Sequence, residues 1–324
     1  MSKINIGILG CANIAQRFII PALKELDEFN IVGIASRNTE KVNHVTKTFN
    51  IKPFYSYNSL LEDKIDAIYI PLPNSMHYEW IKKSLKKNIN VLVEKSMACS
   101  YEEVIELNNI ANTKNLVLLE NFQFRFHSQL EYIKELIQSQ KIGELRNIRT
   151  SFGFPPFADS DNIRYKEELG GGALLDAGAY PLKITQIFLG KDIYVDSASL
   201  EYPMDKEVDI WGSAYIKQKN GNLATQIAFG FDNFYQNNLE LWGSKGKIVA
   251  NRIFTAAPGF EPTIEVETND GKEVVTLKAD HHFKNMLYYF YSQIVYKNGL
   301  EEEYDQNINQ AKLINELKEK ASGK

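Results

Sequence analysis

The feature that most constrains the fold is an alternation of short apolar runs with stretches of helical spacing across the first 120 residues. The runs predict buried strands, and the stretches between them predict helices. Predicted strands are Ile4–Leu9, Asn30–Ala35, Ala67–Pro71, Asn90–Val93 and Leu116–Glu120, and predicted helices are Ile14–Leu26, Thr39–Phe49, His77–Lys87 and Tyr101–Asn112. This order predicts a doubly wound parallel sheet that binds ligands at the carboxyl ends of its strands.

The pattern changes after about residue 140, where strand-like runs follow one another across turn signals. These runs predict a large, mostly antiparallel open sheet, and three helices are predicted at Ala173–Phe188, His282–Tyr296 and Asp305–Ala321. We therefore expect two domains, residues 1–122 and 123–324, joined tightly near 121–128, with the last helix able to pack back on the first domain.

Charge and cysteine content exclude several classes of protein. The 324 residues carry 37 Lys and Arg against 41 Asp and Glu, a net charge of −4, which argues against nucleic acid or an anionic membrane as a partner. No apolar stretch is long enough to span a bilayer, and the N-terminus reads as a strand rather than a signal peptide. Cys11 and Cys99 cannot form a disulfide framework, and His281 and His282 lack companions at ligand spacing. We expect a cytoplasmic protein with no metal site.

The first strand-to-helix turn, Gly10-Cys11-Ala12-Asn13-Ile14-Ala15, is a degenerate form of the Gly-x-Gly-x-x-Gly fingerprint of dinucleotide sites. Such a turn lets the backbone approach a pyrophosphate, and the helix N-terminus offers N–H groups to it. The cofactor-binding candidates in this turn are Gly10, Ala12, Asn13 and Ile14. An ordinary strand-to-helix turn is the alternative.

The second strand ends in Ser36-Arg37, where a site specific for NAD has an Asp or Glu. Ser36 can hydrogen-bond a 2′-phosphate, Arg37 can pair with that phosphate and stack on the adenine, and Lys41 can add charge. These residues predict NADP rather than NAD as the cofactor. The alternative is that Arg37 is a solvated surface residue.

Two later strands end in polar segments at the same predicted edge. Pro71-Leu72-Pro73-Asn74-Ser75-Met76-His77 makes a rigid turn, so Pro71, Asn74 and His77 are candidates for the nicotinamide end of the cofactor, although a lone His is often structural. Glu94 and Lys95 end the next strand. Lys95 could supply positive charge or a proton to a carbonyl oxygen, with Glu94 orienting it. A surface ion pair is the alternative.

A third segment combines three glycines, Gly170–Gly172, with Asp176 and Tyr180 at i and i+4 of the following helix. That spacing places a carboxylate and a phenol on one face. Tyr180 could act as a general acid with Lys95 as the nearby cation, and Asp176 could bind substrate hydroxyls or assist the proton transfer. The alternative is an amphipathic helix whose polar residues face solvent.

Arg125 and His127 lie in an alternation, 122–127, that is typical of a strand.

Together these segments resemble the Gfo/Idh/MocA oxidoreductase family over nearly the whole chain. The matching motifs are Gly7–Ala15, Pro71–His77, Glu94-Lys95 and Asp176–Tyr180. The resemblance implies an N-terminal Rossmann domain, a C-terminal α/β domain for substrate binding and oligomerisation, and hydride exchange between a nicotinamide and a sugar or cyclitol carbon. Ser96 replaces the proline that usually follows Glu-Lys, and Tyr180 stands where many members have His.

The tyrosine form resembles the branch of sugar 3-ketoreductases, NADP-dependent xylose dehydrogenases and dihydrodiol dehydrogenases. In that branch the matching Lys and Tyr are the proposed proton-transfer pair, and NADP is common. The resemblance therefore implies catalytic roles for Lys95, Tyr180 and Asp176, and a homodimer or homotetramer built through the C-terminal sheet. We expect an NADPH-dependent reductase of a keto-sugar, free or nucleotide-linked. The alternatives are an NADP-dependent aldose or trans-diol dehydrogenase and a dinucleotide-binding sensor without activity.

Overall fold

The computed structural model describes residues 3–159 and 161–323, which divide into two compact units. The first unit extends to Asn121 and also includes Phe283–Ile308. The second unit consists of Phe122–His282 and the chain from Asn309 onward. Within the described residues, no helix combines the length and the apolar content needed to cross a membrane.

The first unit contains a parallel sheet of six strands. They are β1 (Ile4–Leu9), β2 (Phe29–Ala35), β3 (Pro53–Phe54), β4 (Ala67–Ile70), β5 (Asn90–Glu94) and β6 (Leu118–Asn121). Their order is β3-β2-β1-β4-β5-β6, so the chain reverses its direction of travel between β1 and β4. This is the strand order of doubly wound dinucleotide-binding domains, and it confirms the predicted parallel α/β sheet.

Helices connect these strands. A π-helical turn, Ala15–Ile19, continues into α1 (Ile20–Lys24), and α2 (Thr39–Phe49), α3 (Tyr57–Leu61), α4 (Asn74–Lys86) and α5 (Tyr101–Thr113) follow. The side chains of Asn38, Ser56 and Ser100 accept backbone N–H groups at the starts of α2, α3 and α5. Helix α4 begins at Asn74, three residues before the predicted start, because Pro73 precedes the first turn with the extended backbone that a helix entry needs.

The second unit contains the predicted open sheet, with eight strands. They are β7 (Leu145–Gly153), β8 (Ile193–Glu201), β9 (Trp211–Gln218), β10 (Ala224–Gly230), β11 (Gln236–Gly243), β12 (Gly246–Asn251), β13 (Thr263–Thr268) and β14 (Gly271–Thr276). The order is β14-β13-β12-β11-β7-β10-β9-β8, and neighbouring strands are antiparallel except β7 and β10.

One face of this sheet is covered. Along β7, Ile148, Thr150 and Phe152 are buried, whereas Arg149 between them is exposed. Helix α7 (Ala179–Leu189) packs against β7 and β10 on the buried face, and α6 (Ser128–Gln138) precedes the sheet in the chain. The alternation therefore indicates one apolar and one polar face, as expected for an antiparallel sheet.

The prediction of a strand at 122–127 is wrong. Gln123–Phe126 form a 3-10 turn, and His127 caps α6 by accepting the N–H of Gln129 at its Nδ1, at 3.1 Å. Phe122 and Phe124 are both buried in the aromatic core of the second unit. A compact turn therefore buries alternate aromatic residues here. Over so few residues, alternation of buried and exposed side chains does not distinguish such a turn from a strand.

Two helices close the chain, α8 (His282–Tyr296) and α9 (Leu300–Ala321). In the first unit, Phe283 of α8 stacks on Phe18 at 4.7 Å between ring centroids, and Tyr304 of α9 donates to the carbonyl of Leu116 at 2.6 Å. Helix α9 starts five residues earlier than predicted, since Leu300 and Tyr304 are buried and extend its apolar face. In the second unit, Glu316 of α9 accepts the N–H of Val195 at 2.9 Å.

Candidate active site

The turn after β1 requires glycine at its first position. Gly10 has φ +115°, and a Cβ there would lie 2.9 Å from Cδ2 of Leu72. Its N–H donates to the carbonyl of Ala35 at 2.8 Å, which ties the turn to the end of β2. Ala12, Asn13 and Ile14 follow at the helix start and are partly or fully exposed. This accessible helix N-terminus after a glycine turn fits the diphosphate of a dinucleotide.

Ser36 and Arg37 follow β2 directly. The Ser36 hydroxyl accepts the N–H of Asn38 at 3.1 Å, and the Arg37 guanidinium lies 5.8 Å from the ring centroid of Tyr57. The guanidinium carbon is therefore held near an aromatic face while the side chain remains exposed. A cation and a hydroxyl at this position suit a 2′-phosphate, whereas an NAD-specific site would have a carboxylate here. Lys41 lies in the first turn of α2, also exposed.

Cys11 lies beside this subsite but is a poor candidate for a nucleophile. Burial raises the pKa of Cys11 above its usual value, against the smaller opposing effects of Ser36 and Lys41. A raised pKa lowers the thiolate fraction at neutral pH.

His77 ties two loops of the cofactor edge together. Its Nδ1 is 2.8 Å from the carbonyl oxygen of Ser96, and its Nε2 is 2.7 Å from that of Leu72. Burial lowers the pKa of His77 to about 4, against the two carbonyl contacts, which favour the charged ring. The neutral imidazole has one N–H and donates to one carbonyl only. His77 thus contacts a backbone carbonyl with each ring nitrogen, one from the loop after β4 and one from the loop after β5.

Glu94 is held by two neighbours at the end of β5. Its Oε1 accepts the hydroxyl of Tyr69 and the side-chain amide of Asn121, each at 2.6 Å. Glu94 pairs in register with Asn121 of β6, and Tyr69 lies fully buried in β4. Three adjacent strands therefore fix the orientation of this carboxylate.

Lys95 follows in a segment that is pinned on both sides. The peptide bond between Lys95 and Ser96 is cis. The N–H of Met97 donates to Oε1 of the buried Glu120 at 2.8 Å, and the carbonyl of Ser96 contacts His77. Pro71 is buried and Asn74 begins α4, so the segments predicted to bind the nicotinamide end lie at the carboxyl ends of adjacent strands, as expected.

Asp176 and Tyr180 occur where the predicted helix begins with an irregularity. Leu174–Gly178 form a π-helical turn that continues into α7 at Ala179. Pro181 has no N–H to donate to the carbonyl of Ala177, so the regular α-helical hydrogen bond is absent there, close to the wider turn. Asp176 and Tyr180 remain about one turn apart on a single element of the second unit.

The ring of Tyr180 is enclosed by phenylalanines. It packs edge-on against Phe152 at 5.0 Å and Phe122 at 5.7 Å, and it contacts Phe254 at 5.6 Å and Phe124 at 5.9 Å. Tyr180 is 8% exposed. Aromatic packing of this kind leaves the ring few alternative orientations, so the direction of its hydroxyl is set by the core.

Two charged residues hold the start of the same helix. Nε of Arg164 donates to Oδ2 of Asp176 at 2.7 Å. Asp209 is buried, and its Oδ2 accepts the N–H of Leu174 at 2.6 Å. The backbone carbonyl of Asp209 accepts the N–H of Ala173 at 2.8 Å. Burial raises the pKa of Asp209, while the backbone N–H groups favour its ionised form.

Sequence reasoning missed Tyr69, Asn121, Arg164 and Asp209. The position of Asn121 at the carboxyl end of a parallel strand was a usable signal. Tyr69 lies within an apolar run, and no local pattern connects Arg164 or Asp209 to Asp176. The guanidinium of Arg125, in the segment expected to form a strand, lies 5.2 Å from the ring centroid of Phe126. Among the described residues, no group of three or more His, Cys, Asp or Glu is placed to hold a metal ion.

Comparison with known proteins identifies the family. Residues 4–122 match the oxidoreductase family with an NAD-binding Rossmann fold, Gfo/Idh/MocA, and residues 130–249 match the Gfo/Idh/MocA C-terminal domain. The chain belongs to the Gfo/Idh/MocA oxidoreductase family. It is an oxidoreductase, and the sequence-based assignment of family and enzyme class is confirmed.

Relatives in that family are similar along most of their length. A dTDP-3,4-didehydro-2,6-dideoxy-α-D-glucose 3-reductase of Saccharopolyspora spinosa is 37% identical, over 92% of this chain and 90% of its own. A D-xylose 1-dehydrogenase (NADP⁺) of Haloferax volcanii is 30% identical, over 83% and 82%. The crystal structure of KijD10, a 3-ketoreductase from Actinomadura kijaniata in complex with NADP and TDP-benzene, has a TM-score of 0.94 at 33% identity, over 98% and 97%.

Proposed function

We propose that this protein is an NADPH-dependent reductase of a keto-sugar carried on dTDP. The observation that carries the proposal is full-length similarity to 3-reductases of dTDP-linked 2,6-dideoxy sugars, which extends over both units. The similar solved 3-ketoreductase was crystallised with NADP and TDP-benzene, a molecule that carries the nucleotide portion of such a substrate. In this proposal the first unit binds the dinucleotide and the second unit binds the sugar nucleotide.

Each site residue has a separate role in the proposed reaction. When bound, the reduced nicotinamide supplies a hydride to the carbonyl carbon, and the carbonyl electron pair moves to oxygen. Tyr180 donates its phenolic proton to that oxygen and is reprotonated from solvent before the next turnover. Lys95 supplies positive charge that stabilises both the developing alkoxide and the phenolate. Asp176 accepts a hydrogen bond from a neighbouring substrate hydroxyl and orients the ring.

The cofactor preference follows from the end of β2. Ser36 and Arg37 offer a hydroxyl and a guanidinium to the 2′-phosphate that NADPH has and NADH lacks. We expect Arg37→Ala to weaken NADPH binding far more than NADH binding in calorimetric titration. Lys47→Ala, which removes an exposed charge elsewhere on α2, should leave both affinities unchanged. Tighter binding of NADH than of NADPH by the unaltered protein would contradict the proposed preference.

The substrate class is tested by turnover. NADPH oxidation should be fast with a dTDP-linked 3-keto-2,6-dideoxy sugar and slow with the same sugar lacking dTDP. NADP reduction with D-xylose or a trans-diol should be slower still. Faster turnover of xylose would favour the dehydrogenase alternative, and no turnover with any of these substrates would favour a dinucleotide-binding sensor.

We also propose a cytoplasmic homodimer or homotetramer that forms through the uncovered face of the eight-stranded sheet. On that face Trp211 and Trp242 are 39% and 54% exposed, and the Arg149 guanidinium lies 5.6 Å from a ring centroid of Trp242. Exposed tryptophans with a stacked arginine are typical of the centre of a protein interface. Neither Cys11 nor Cys99 forms a disulfide, which suits a reducing compartment.

A further inference from the structure

We propose that Arg164 is a positioning residue that holds the Asp176 carboxylate ready for the substrate hydroxyl. The inference rests on the proposed function, in which Asp176 binds that hydroxyl, and it adds a residue that no motif of the sequence indicates. The central observation is the hydrogen bond from Arg164 Nε to Asp176 Oδ2, at 2.7 Å. Charge-assisted hydrogen bonds of this length are among the stronger ones in proteins.

The burial of the two partners differs in a way that suits this role. The Asp176 side chain is 17% exposed and the Arg164 side chain is 38% exposed. A carboxylate that is mostly withdrawn from water needs a partner to remain charged and oriented. Arg164 provides such a partner at one oxygen, which restrains the orientation of the carboxylate.

Arg164 is itself held in place. Its guanidinium lies 4.9 Å from the ring centroid of Phe157. The N–H of Phe157 donates to the hydroxyl of Tyr165 at 3.1 Å, so the stacking ring is tied to the residue after Arg164. A planar guanidinium can stack and donate in the same geometry, and a lysine ammonium cannot.

The glycine-rich turn brings Arg164 to the helix. The N–H groups of Gly171 and Gly172 donate to the carbonyls of Lys166 and Arg164, each at 2.9 Å. A Cβ at Gly171 would lie 2.5 Å from the carbonyl oxygen of Arg164, and Gly172 has φ +107°. Any side chain at Gly171 would push this stretch of backbone away. The glycines thus allow close approach of the chain to itself, which places the guanidinium beside Asp176.

The consequence for catalysis is preorganisation. If Asp176 is already oriented, less conformational freedom is lost when the substrate hydroxyl binds. Removing Arg164 should therefore act on substrate binding through Asp176. Binding of NADPH should be unaffected, because Arg164 belongs to the second unit and the proposed dinucleotide residues belong to the first.

The test is a double-mutant cycle between Arg164 and Asp176, measured by steady-state NADPH oxidation with the dTDP-linked keto-sugar. We expect Arg164→Ala to raise KM by roughly tenfold or more while kcat falls less than KM rises, as for a loss of orientation of a binding group. Arg164→Lys, which keeps the charge, should recover part of the loss. In an Asp176→Asn background, Arg164→Ala should change kcat/KM by no more than about twofold, because its target is already altered.

The matched control is Lys166→Ala. Lys166 lies in the same segment and pairs with Asp161 at 2.7 Å, so this variant removes an ion pair without touching Asp176. Its KM should equal that of the unaltered enzyme. The affinity for NADP, measured by calorimetric titration, and the midpoint of thermal unfolding show whether each variant is folded. If Arg164→Ala is not folded, Arg164→Gln replaces it in the cycle.

The outcomes separate this inference from the proposed function. Additive effects of Arg164→Ala and Asp176→Asn would overturn the positioning role alone, and so would an Arg164→Ala enzyme with normal KM. Unchanged kinetics in Asp176→Asn would overturn both the inference and the role of Asp176 in the proposed function. Strong coupling between the two, with partial recovery in Arg164→Lys, supports the inference.

Discussion

Tyr180 allows its hydroxyl to be tested separately from its packing. Four phenylalanine rings surround the aromatic ring, so phenylalanine at this position keeps the same contacts. Replacement by a smaller residue would open a cavity and lose stability as well as chemistry. Tyr180→Phe therefore removes one functional group and little else.

We expect Tyr180→Phe and Lys95→Ala each to lower kcat by roughly 10²–10⁴, the usual range for general acid–base groups. The double variant should lose much less than the product of the two effects, because the residues act on one step. The affinity of Tyr180→Phe for NADP should change little. Tyr288→Phe, which alters an exposed tyrosine of α8, is the matched control. Near-normal kcat in Tyr180→Phe would show that another group donates the proton.

At the scale of elements, His77 connects the loop after β4 to the loop after β5. Its pKa is lowered to about 4 by burial, whereas the unfolded chain has the ordinary value of 6.5. The unfolded state therefore binds more protons between these values, and stability must rise with pH across that window. This contribution is fully present above pH 6.5 and is lost as pH falls towards 4.

We expect the free energy of unfolding to fall, on account of His77, by about 3 kcal/mol between pH 6.5 and pH 4. His77→Gln should abolish this part of the pH dependence, because the amide does not titrate. Urea unfolding at several pH values measures it, with His44→Gln, at an exposed site on α2, as the control. An identical pH dependence in the unaltered protein and in His77→Gln would contradict the assignment.

The start of the Asp176 helix depends on Asp209 for its cap. Asp209→Ala removes the acceptor of the Leu174 N–H and should destabilise the protein by about 1–2 kcal/mol. Asp209→Asn keeps an acceptor oxygen and should lose less. Burial raises the pKa of Asp209, so its contribution to stability declines as pH rises through that pKa. The asparagine variant does not titrate at this position. The difference in the free energy of unfolding between Asp209→Asn and the unaltered protein should therefore favour the variant more at pH 7 than at pH 4. Equal stabilities of the Ala and Asn variants would show that no cap exists.

At the scale of the whole molecule, the uncovered face of the eight-stranded sheet should govern assembly. Light scattering at micromolar concentration should give the mass of a dimer or tetramer. Trp242→Glu should shift that mass towards the monomer, because a carboxylate buried in an interface without a compensating partner is costly. Tyr288→Glu, at a residue that is 56% exposed on α8, should leave the mass unchanged. A monomeric mass for the unaltered protein would refute the assembly.

Local pattern was sufficient for the architecture and for the positions of several candidate segments at the edge of the first sheet. Apolar runs separated by helical spacing led to the six-stranded parallel sheet, and alternation across turn signals led to the open sheet, because both patterns repeat over short stretches of chain. The ends of parallel strands meet at one edge, so Gly10, Ser36 and Glu94 could be placed there from their positions in the sequence alone. Short elements such as β3 and α3 carry too few residues to show a period.

Tertiary structure alone decided which side chains support the candidate site residues. Arg164 reaches Asp176 through a glycine turn packed on its own backbone, and Asp209 reaches the same helix from the segment before β9. Tyr69 and Asn121 hold Glu94 from neighbouring strands. Such contacts join residues that are far apart in the chain. They depend on how buried polar groups find partners when the core forms, and no periodicity of the sequence records that pairing.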